Sequence, residues 1–182
     1  MRLGFGAAFA AFLLIAQTAT AAPVTMTFDG DLGPTASYTE AGMTIDSVYG
    51  SQFQIDDDAW NVPCCDSQND QFLLTTGGTF DLISIDILHS DFINPIIFQG
   101  YDGGTLVATT AVFANDYGTL DFTVLGFDNI DSLTITVAGR IWTDPIFDNL
   151  TFEVAAVPLP AAGLMLLGAM GGLGAMRRRK QA

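Results

Sequence analysis

Carboxylates are the groups in this chain best suited to chemistry. Asp148 stands within Ile146-Phe147-Asp148-Asn149-Leu150-Thr151-Phe152-Glu153-Val154. Read as a strand, this run gives Asp148 the parity of Leu150, Phe152 and Val154, aiming its carboxylate at the apolar face. A charge buried there requires hydrogen bonds, a base or a metal ion. Two readings stay open: a rim acid bound to backbone amides, or a ligand to Ca2+, which favours hard oxygen donors. A bulge at Asp148-Asn149 would undo the parity. Asp56-Asp57-Asp58 reads first as a solvated charge run, and nothing matches the alternating ligand pattern of an EF-hand loop. Trp60, Trp142 and Tyr101 offer flat faces for stacking on a sugar ring, with ordinary core or rim packing as the competing reading for the tryptophans. Trp60 is the better candidate of the two because it adjoins the Asp run. His89, followed by Ser90 and Asp91, makes no triad by adjacency alone. Phosphate cradles and dinucleotide fingerprints are absent. Acids this abundant single out no pair for glycoside hydrolysis, so the expectation is a protein without a catalytic residue.

The charge distribution is lopsided. All 20 acidic residues lie between Ala22 and Ala156, against one base there, Arg140. Such a body repels nucleic acid and anionic lipid, and it repels itself unless cations screen it. The two cysteines, Cys64 and Cys65, are adjacent. Adjacent Cα atoms lie about 3.8 Å apart, short for a disulfide. A strained vicinal ring, two thiols and an intermolecular bridge all stay open.

The elements that must position these groups repeat with a period of two. Val24, Met26 and Phe28 alternate with threonines; Ile83, Ile85 and Ile87 alternate with Ser84 and Asp86; Leu120, Phe122 and Val124 continue the pattern, as do Leu133, Ile135 and Val137. Turn-forming pairs such as Asp29-Gly30, Gly77-Gly78 and Asp128-Asn129 separate the runs. The reading is an all-β fold, an antiparallel β-sandwich or jelly roll of eight to ten short strands. The stretch from Asp56 to Gln71 is predicted to be a long surface loop.

The ends differ from the body. Residues 1–21 carry Arg2, an apolar run from Phe5 to Ala16, and Ala19-Thr20-Ala21, the order of a secretory signal peptide removed by signal peptidase. At the other end come Val157-Pro158-Leu159-Pro160-Ala161, an uncharged stretch from Ala162 to Met176, and Arg177-Arg178-Arg179-Lys180. The stretch is short for a membrane-crossing helix, and the basic cluster stays on the cytoplasmic side. The expected domains are therefore 1–21 signal peptide, 22–156 β-sandwich and 157–182 tail, with the body exported beyond the inner membrane.

Two resemblances add to this reading. The last 26 residues, 157–182, resemble the VPLPA-type sorting signal of alphaproteobacteria, related to the PEP-CTERM signals handled by exosortases. The resemblance implies an exosortase-like membrane transpeptidase as partner, cleavage near the proline motif, and delivery to the cell surface or an exopolysaccharide matrix. Within the body, Thr27-Phe28-Asp29-Gly30 and Phe147-Asp148-Asn149-Leu150 resemble the opening and closing segments of jelly-roll carbohydrate-binding modules. That resemblance implies terminal strands side by side, a structural Ca2+ held by Asp29 and Asp148, and a polysaccharide ligand. The rival expectation is an acidic structural or adhesive surface protein without a sugar site.

Overall fold

The computed structural model describes residues 22–49, 52–62, 70–89, 95–113, 117–137 and 145–155, all within one compact unit, Ala21–Ala156. The signal-peptide and sorting-tail segments, including Val157 to Ala161, lie outside the described residues, as do Cys64, Cys65, Arg140 and Trp142.

Twelve strands occur among the described residues: β1 (Val24–Met26), β2 (Leu32–Thr35), β3 (Ser37–Glu40), β4 (Met43–Tyr49), β5 (Phe53–Asp56), β6 (Ala59–Asn61), β7 (Asp70–His89), β8 (Ile96–Asp102), β9 (Thr105–Val112), β10 (Gly118–Asp121), β11 (Ile130–Val137) and β12 (Ile146–Val154). Every pairing is antiparallel. The all-β expectation therefore holds, with more strands than the eight to ten read from the pattern.

Strand β7 organises the molecule. Its first part, up to Thr75, pairs with β4 and β11, whereas Phe80 to His89 pairs chiefly with β12 and β10. Between them lie Gly77, with φ of 76°, and Gly78. The sequence marks these glycines as a turn. Instead the chain stays extended through them, because a glycine at positive φ bends a strand without ending it. One strand thus serves two leaves. Sheet I runs β3-β4-β7-β11-β8-β9; sheet II runs β2-β5-β6-β12-β7-β10, with β1 on the β6 side of β12.

The inner faces bury one continuous apolar cluster. Trp60 of β6 meets Phe72 of β7 edge-on at 5.3 Å, and Phe53 of β5 meets Phe72 at 5.8 Å, which ties sheet II to sheet I. At the other end Phe98 of β8 packs on Phe122 at 5.3 Å. Each such ring contributes about 1.5–3 kcal/mol by leaving water. At Gly100 of β8 there is no room for more: a Cβ would sit 3.0 Å from Ile130 and 3.1 Å from Phe127.

Two local expectations need correction. Asp56 to Gln71 is not one loop, since Ala59–Asn61 forms β6 against β5. Asp57 and Asp58 make the two-residue turn between them, with φ of 52° and 56°; positive φ at both positions matches the twist of a hairpin. Val124 does not continue the alternation of Leu120 and Phe122 but stands 86% exposed. The Asp121 carboxylate accepts the Thr123 amide at 2.8 Å and its hydroxyl at 2.6 Å, turning the chain out of the strand.

Candidate functional site

Asp148 does not face the core. Phe147 pairs with Ile87 and is buried, while Asp148 pairs with Asp86 and is half-buried. Asn149 then takes φ of 47°, and the register with β7 shifts between Asp148 and Thr151. This bulge adds one residue, so Leu150 and Phe152 return to the inside while Asp148 points out. Strand parity failed here for that reason. The carboxylate accepts the Asn149 amide at 2.7 Å and the Asn149 Nδ2 at 3.1 Å. Asn149 Nδ2 also donates to Asp86 at 2.9 Å, and Thr119 Oγ1 donates to Asp86 at 2.6 Å. Burial raises the Asp148 pKa most; the Asn149 amide opposes this, and the charges of Asp86, Asp29 and Asp58 push it further up.

Asp29 is exposed, three residues past the end of β1. Strand β1 lies beside β12, with Val24 opposite Phe152 and Met26 opposite Leu150, so the terminal strands are adjacent as the resemblance implies. Asp58, at the β5–β6 turn, accepts the Gly30 amide at 3.3 Å. Four acids thus share one end of sheet II. Among the described residues, no three His, Cys, Asp or Glu side chains converge to hold one metal ion.

The chain just before Asp29 is held by Glu40, which sequence reading missed. Its carboxylate accepts the Thr27 amide at 3.0 Å, the Thr27 hydroxyl at 3.2 Å, the Phe28 amide at 2.9 Å and the Tyr38 hydroxyl at 3.0 Å. The clamp joins β3 of sheet I to the chain leaving β1 of sheet II. It holds Phe28 at φ of 55°, a strained position for a bulky side chain, with its ring buried between Tyr38 and Trp60. Burial first, then the hydrogen bond to Glu40, raises the Tyr38 pKa to about 12. One signal was legible: glutamate occurs only at positions 40 and 153 in a chain with 18 aspartates. Its extra methylene supplies the reach this clamp needs.

The outward rows of the two sheets differ sharply. On sheet II they carry Asp56, Asp81, Asp86, Asp121, Asp148 and Glu153, and two carboxylate pairs lie directly opposite each other, Asp86 with Asp148 and Asp81 with Glu153. No lysine or arginine occurs among the described residues. A cavity of about 260 Å³ on this side is lined by Asp56, Asp57, Ala59, Asn61, Leu88 and Ile146. On sheet I the cross-strand pairs set Thr75, Ser132 and Tyr101 in one row, then Leu73, Thr134 and Gln99, then Gln71, Thr136 and Ile97. Asp46, beside Leu73, is the one carboxylate in these rows. Asp131 stands at their margin, accepting the Gly103 amide at 2.7 Å.

The aromatic candidates separate accordingly. Trp60 is fully buried among Phe28, Phe53, Phe72 and Phe147, so it presents no ring face to a ligand; its place on the inward row of β6 decides this. Its indole Nε1 has no hydrogen-bond partner. Tyr101 is half-buried on the outward row of sheet I. Trp142 lies outside the described residues.

No family model and no curated protein matches the sequence. Among solved structures, the chain is similar to a family 11 carbohydrate-binding module from Clostridium thermocellum in complex with a beta-1,3-1,4-mixed-linked tetrasaccharide. The identity is 14%, covering 78% of this chain and 100% of that one, at a TM-score of 0.37. It is also similar to the C-terminal family 22 carbohydrate-binding module of Clostridium thermocellum Xyn10B, at 17% identity over 75% of this chain and 94% of that one, with a TM-score of 0.33. A third similar structure holds the CBM22-1 and GH10 modules of Clostridium thermocellum xylanase 10B complexed with xylohexaose. Identity there is 15% over 74% of this chain and 28% of that one, with a TM-score of 0.30. Likeness this loose assigns neither ligand nor site.

Proposed function

We propose that this chain is an exported, non-enzymatic β-sandwich that binds an uncharged polysaccharide across the outer face of sheet I. The observation that carries the reading is the composition of that face. Hydroxyl and amide side chains of Ser132, Thr134, Thr136, Gln71 and Gln99 share the face with Tyr101, Leu73 and Ile97, and Asp46 is the one carboxylate in the rows. Such groups donate and accept hydrogen bonds with sugar hydroxyls, and the tyrosine offers a rigid apolar plane with a polar edge. The acidity of the body elsewhere disfavours polyanions.

Export rests on the sequence of the two ends: signal peptidase acts after residue 21, and the inner membrane and an exosortase-like transpeptidase handle 157–182. The destination is the cell surface or its matrix. Affinity electrophoresis in gels containing neutral polysaccharides tests the binding. Tyr101→Ala weakens retention roughly tenfold, about 1.4 kcal/mol, whereas Asp86→Asn leaves it unchanged. Equal retention of wild type and Tyr101→Ala on every retarding glycan overturns this reading.

A structural Ca2+ at Asp29 and Asp148 belongs to the same proposal. What supports it is the unopposed carboxylates at that end of sheet II, with backbone carbonyls and water completing the oxygen shell the ion requires. A second reading, cation-bridged adhesion between copies or to neighbours, draws on the facing pairs Asp86–Asp148 and Asp81–Glu153. Calcium-dependent self-association without any glycan favours it.

A further inference from the structure

An aspartate followed by glycine can react with its own backbone. The glycine amide nitrogen reaches the preceding side-chain carboxyl carbon because no Cβ shields it or restricts its rotation. The chain has two such pairs, Asp29-Gly30 and Asp102-Gly103, and the fold restrains them differently. Asp102 ends β8 and pairs with Thr105 of β9. Gly103 and Gly104, at φ of 56° and 77°, form the two-residue turn between these strands. The Gly103 amide donates to Asp131 at 2.7 Å. Closing a ring there requires that bond and the end of the ladder to open first.

Asp29-Gly30 lies between β1, which ends at Met26, and β2, which begins at Leu32. Neither residue is in a strand, and both are exposed. The Gly30 amide donates to Asp58 at 3.3 Å, beyond the usual range of about 2.7–3.2 Å, and Asp58 itself stands exposed on the β5–β6 turn. Space does not separate the two pairs, since a Cβ at either Gly30 or Gly103 would meet nothing within 4 Å. Backbone restraint does.

We propose that Asp29 is a site of self-modification, converting to isoaspartate in the folded protein while the hairpin protects Asp102. The Gly30 nitrogen bonds to Asp29 Cγ, and the hydroxyl of the protonated carboxyl leaves with the amide hydrogen as water. The succinimide so formed takes water back at either carbonyl. Cleavage of the new nitrogen–Cγ bond restores aspartate. Cleavage at the former main-chain carbonyl routes the backbone through Cβ and Cγ, one methylene longer, and leaves that carbonyl as the free carboxylate. Water is lost and regained, so the mass is unchanged and no other reactant enters. The product slackens the link from β1 to β2 and moves a carboxylate at the acidic end of sheet II. The conversion stands independently of any glycan or calcium site.

Peptide mapping of the full chain, aged in heavy-oxygen water with chelator present, tests the proposal. In the folded state, isoaspartate and heavy oxygen accumulate at position 29 about tenfold faster than at 102, the rate equivalent of about one net hydrogen bond. In concentrated urea the two rates converge, because the two dipeptides are then alike. A folded-state rate at 102 that matches or exceeds the rate at 29 overturns the proposal. So does a difference that persists undiminished in urea, which assigns it to neighbouring residues rather than to the fold. A folded-state rate at 29 below about one-hundredth of its rate in urea overturns it as well, by showing that the β1–β2 link is protected too.

Discussion

Sheets I and II share a strand and a core, yet their outer faces are opposites. On sheet II, carboxylates from β5, β7, β10 and β12 crowd together, and Asp148 is held partly desolvated among Asp29, Asp58 and Asp86. On sheet I, hydroxyls and amides predominate in the equivalent rows beside Tyr101, with Leu73, Ile97 and Asp46 among them. Acidity in this protein is therefore not a uniform solubilising coat. It thins to a single carboxylate, Asp46, in the rows of one face, and that face can meet an uncharged polymer with little desolvation of carboxylates, a costly step.

Breaking the tie between the leaves should have the largest effect. Glu40→Ala removes acceptors from the Thr27 and Phe28 amides together and is expected to cost about 3 kcal/mol in urea unfolding; a loss under about 0.5 kcal/mol would show that the clamp does not hold β1 in place. Gly100→Ala drives a methyl group against Ile130 and Phe127 beside Tyr101, and is expected to cost about 1–3 kcal/mol. Because it displaces the Tyr101 strand, it should weaken glycan retention as well as stability. Retention at wild-type strength would separate the face from the packing beneath it.

Asp148 sharpens the contrast through pH. Its pKa is raised in the folded state, so the folded protein holds that proton more tightly than the unfolded chain does. The favourable contribution is present below the ordinary carboxylate range and is lost as pH rises through the folded pKa. Asp148→Asn should therefore raise the melting temperature at pH 7 in chelator, by an amount that shrinks in acid. With Ca2+ in excess the sign reverses if Asp148 ligates the ion, because binding stabilises the wild type by mass action. An identical gain with and without Ca2+ would dispose of calcium at this position. The smallest effect concerns Tyr38. Its pKa of about 12 exceeds the usual 10.0, so the stability it confers is full below pH 10 and fades between pH 10 and about 12. Tyr38→Phe should flatten the alkaline limb of thermal melts over that interval, and an unaltered limb would remove Tyr38 as its source.

How far the sequence reveals this arrangement depends on the range of the interactions involved. Leu133, Ile135 and Val137 alternate with threonines, and all three are buried as that alternation requires; a period of two is local and survives any topology. The division into leaves was hidden because Gly77-Gly78 spells a turn and acts as a bend inside a strand. Trp60 was a candidate for sugar stacking because it adjoins the acidic run, but β6 turns its ring inward, the core packing of its competing reading, and Asp57 and Asp58 occupy a two-residue hairpin turn. Asp148 was misdirected by one bulged residue, Asn149. Glu40 escaped notice because its partners lie 12 and 13 positions away, and hydrogen bonds across that distance follow from topology rather than pattern. Tyr101 alone of the aromatic candidates is placed on an open face among the described residues, and it stands opposite Ser132 by a pairing invisible in the sequence.

Amide chemical-shift mapping during titration with a neutral oligosaccharide that retards the protein in affinity gels tests the central claim most directly. Perturbations concentrated on Gln99, Tyr101, Thr134 and Leu73, with Asp86 and Asp148 silent, are the expected result. Perturbations confined to Asp86, Asp148, Asn61 and Leu88, with the Tyr101 face silent, would contradict it.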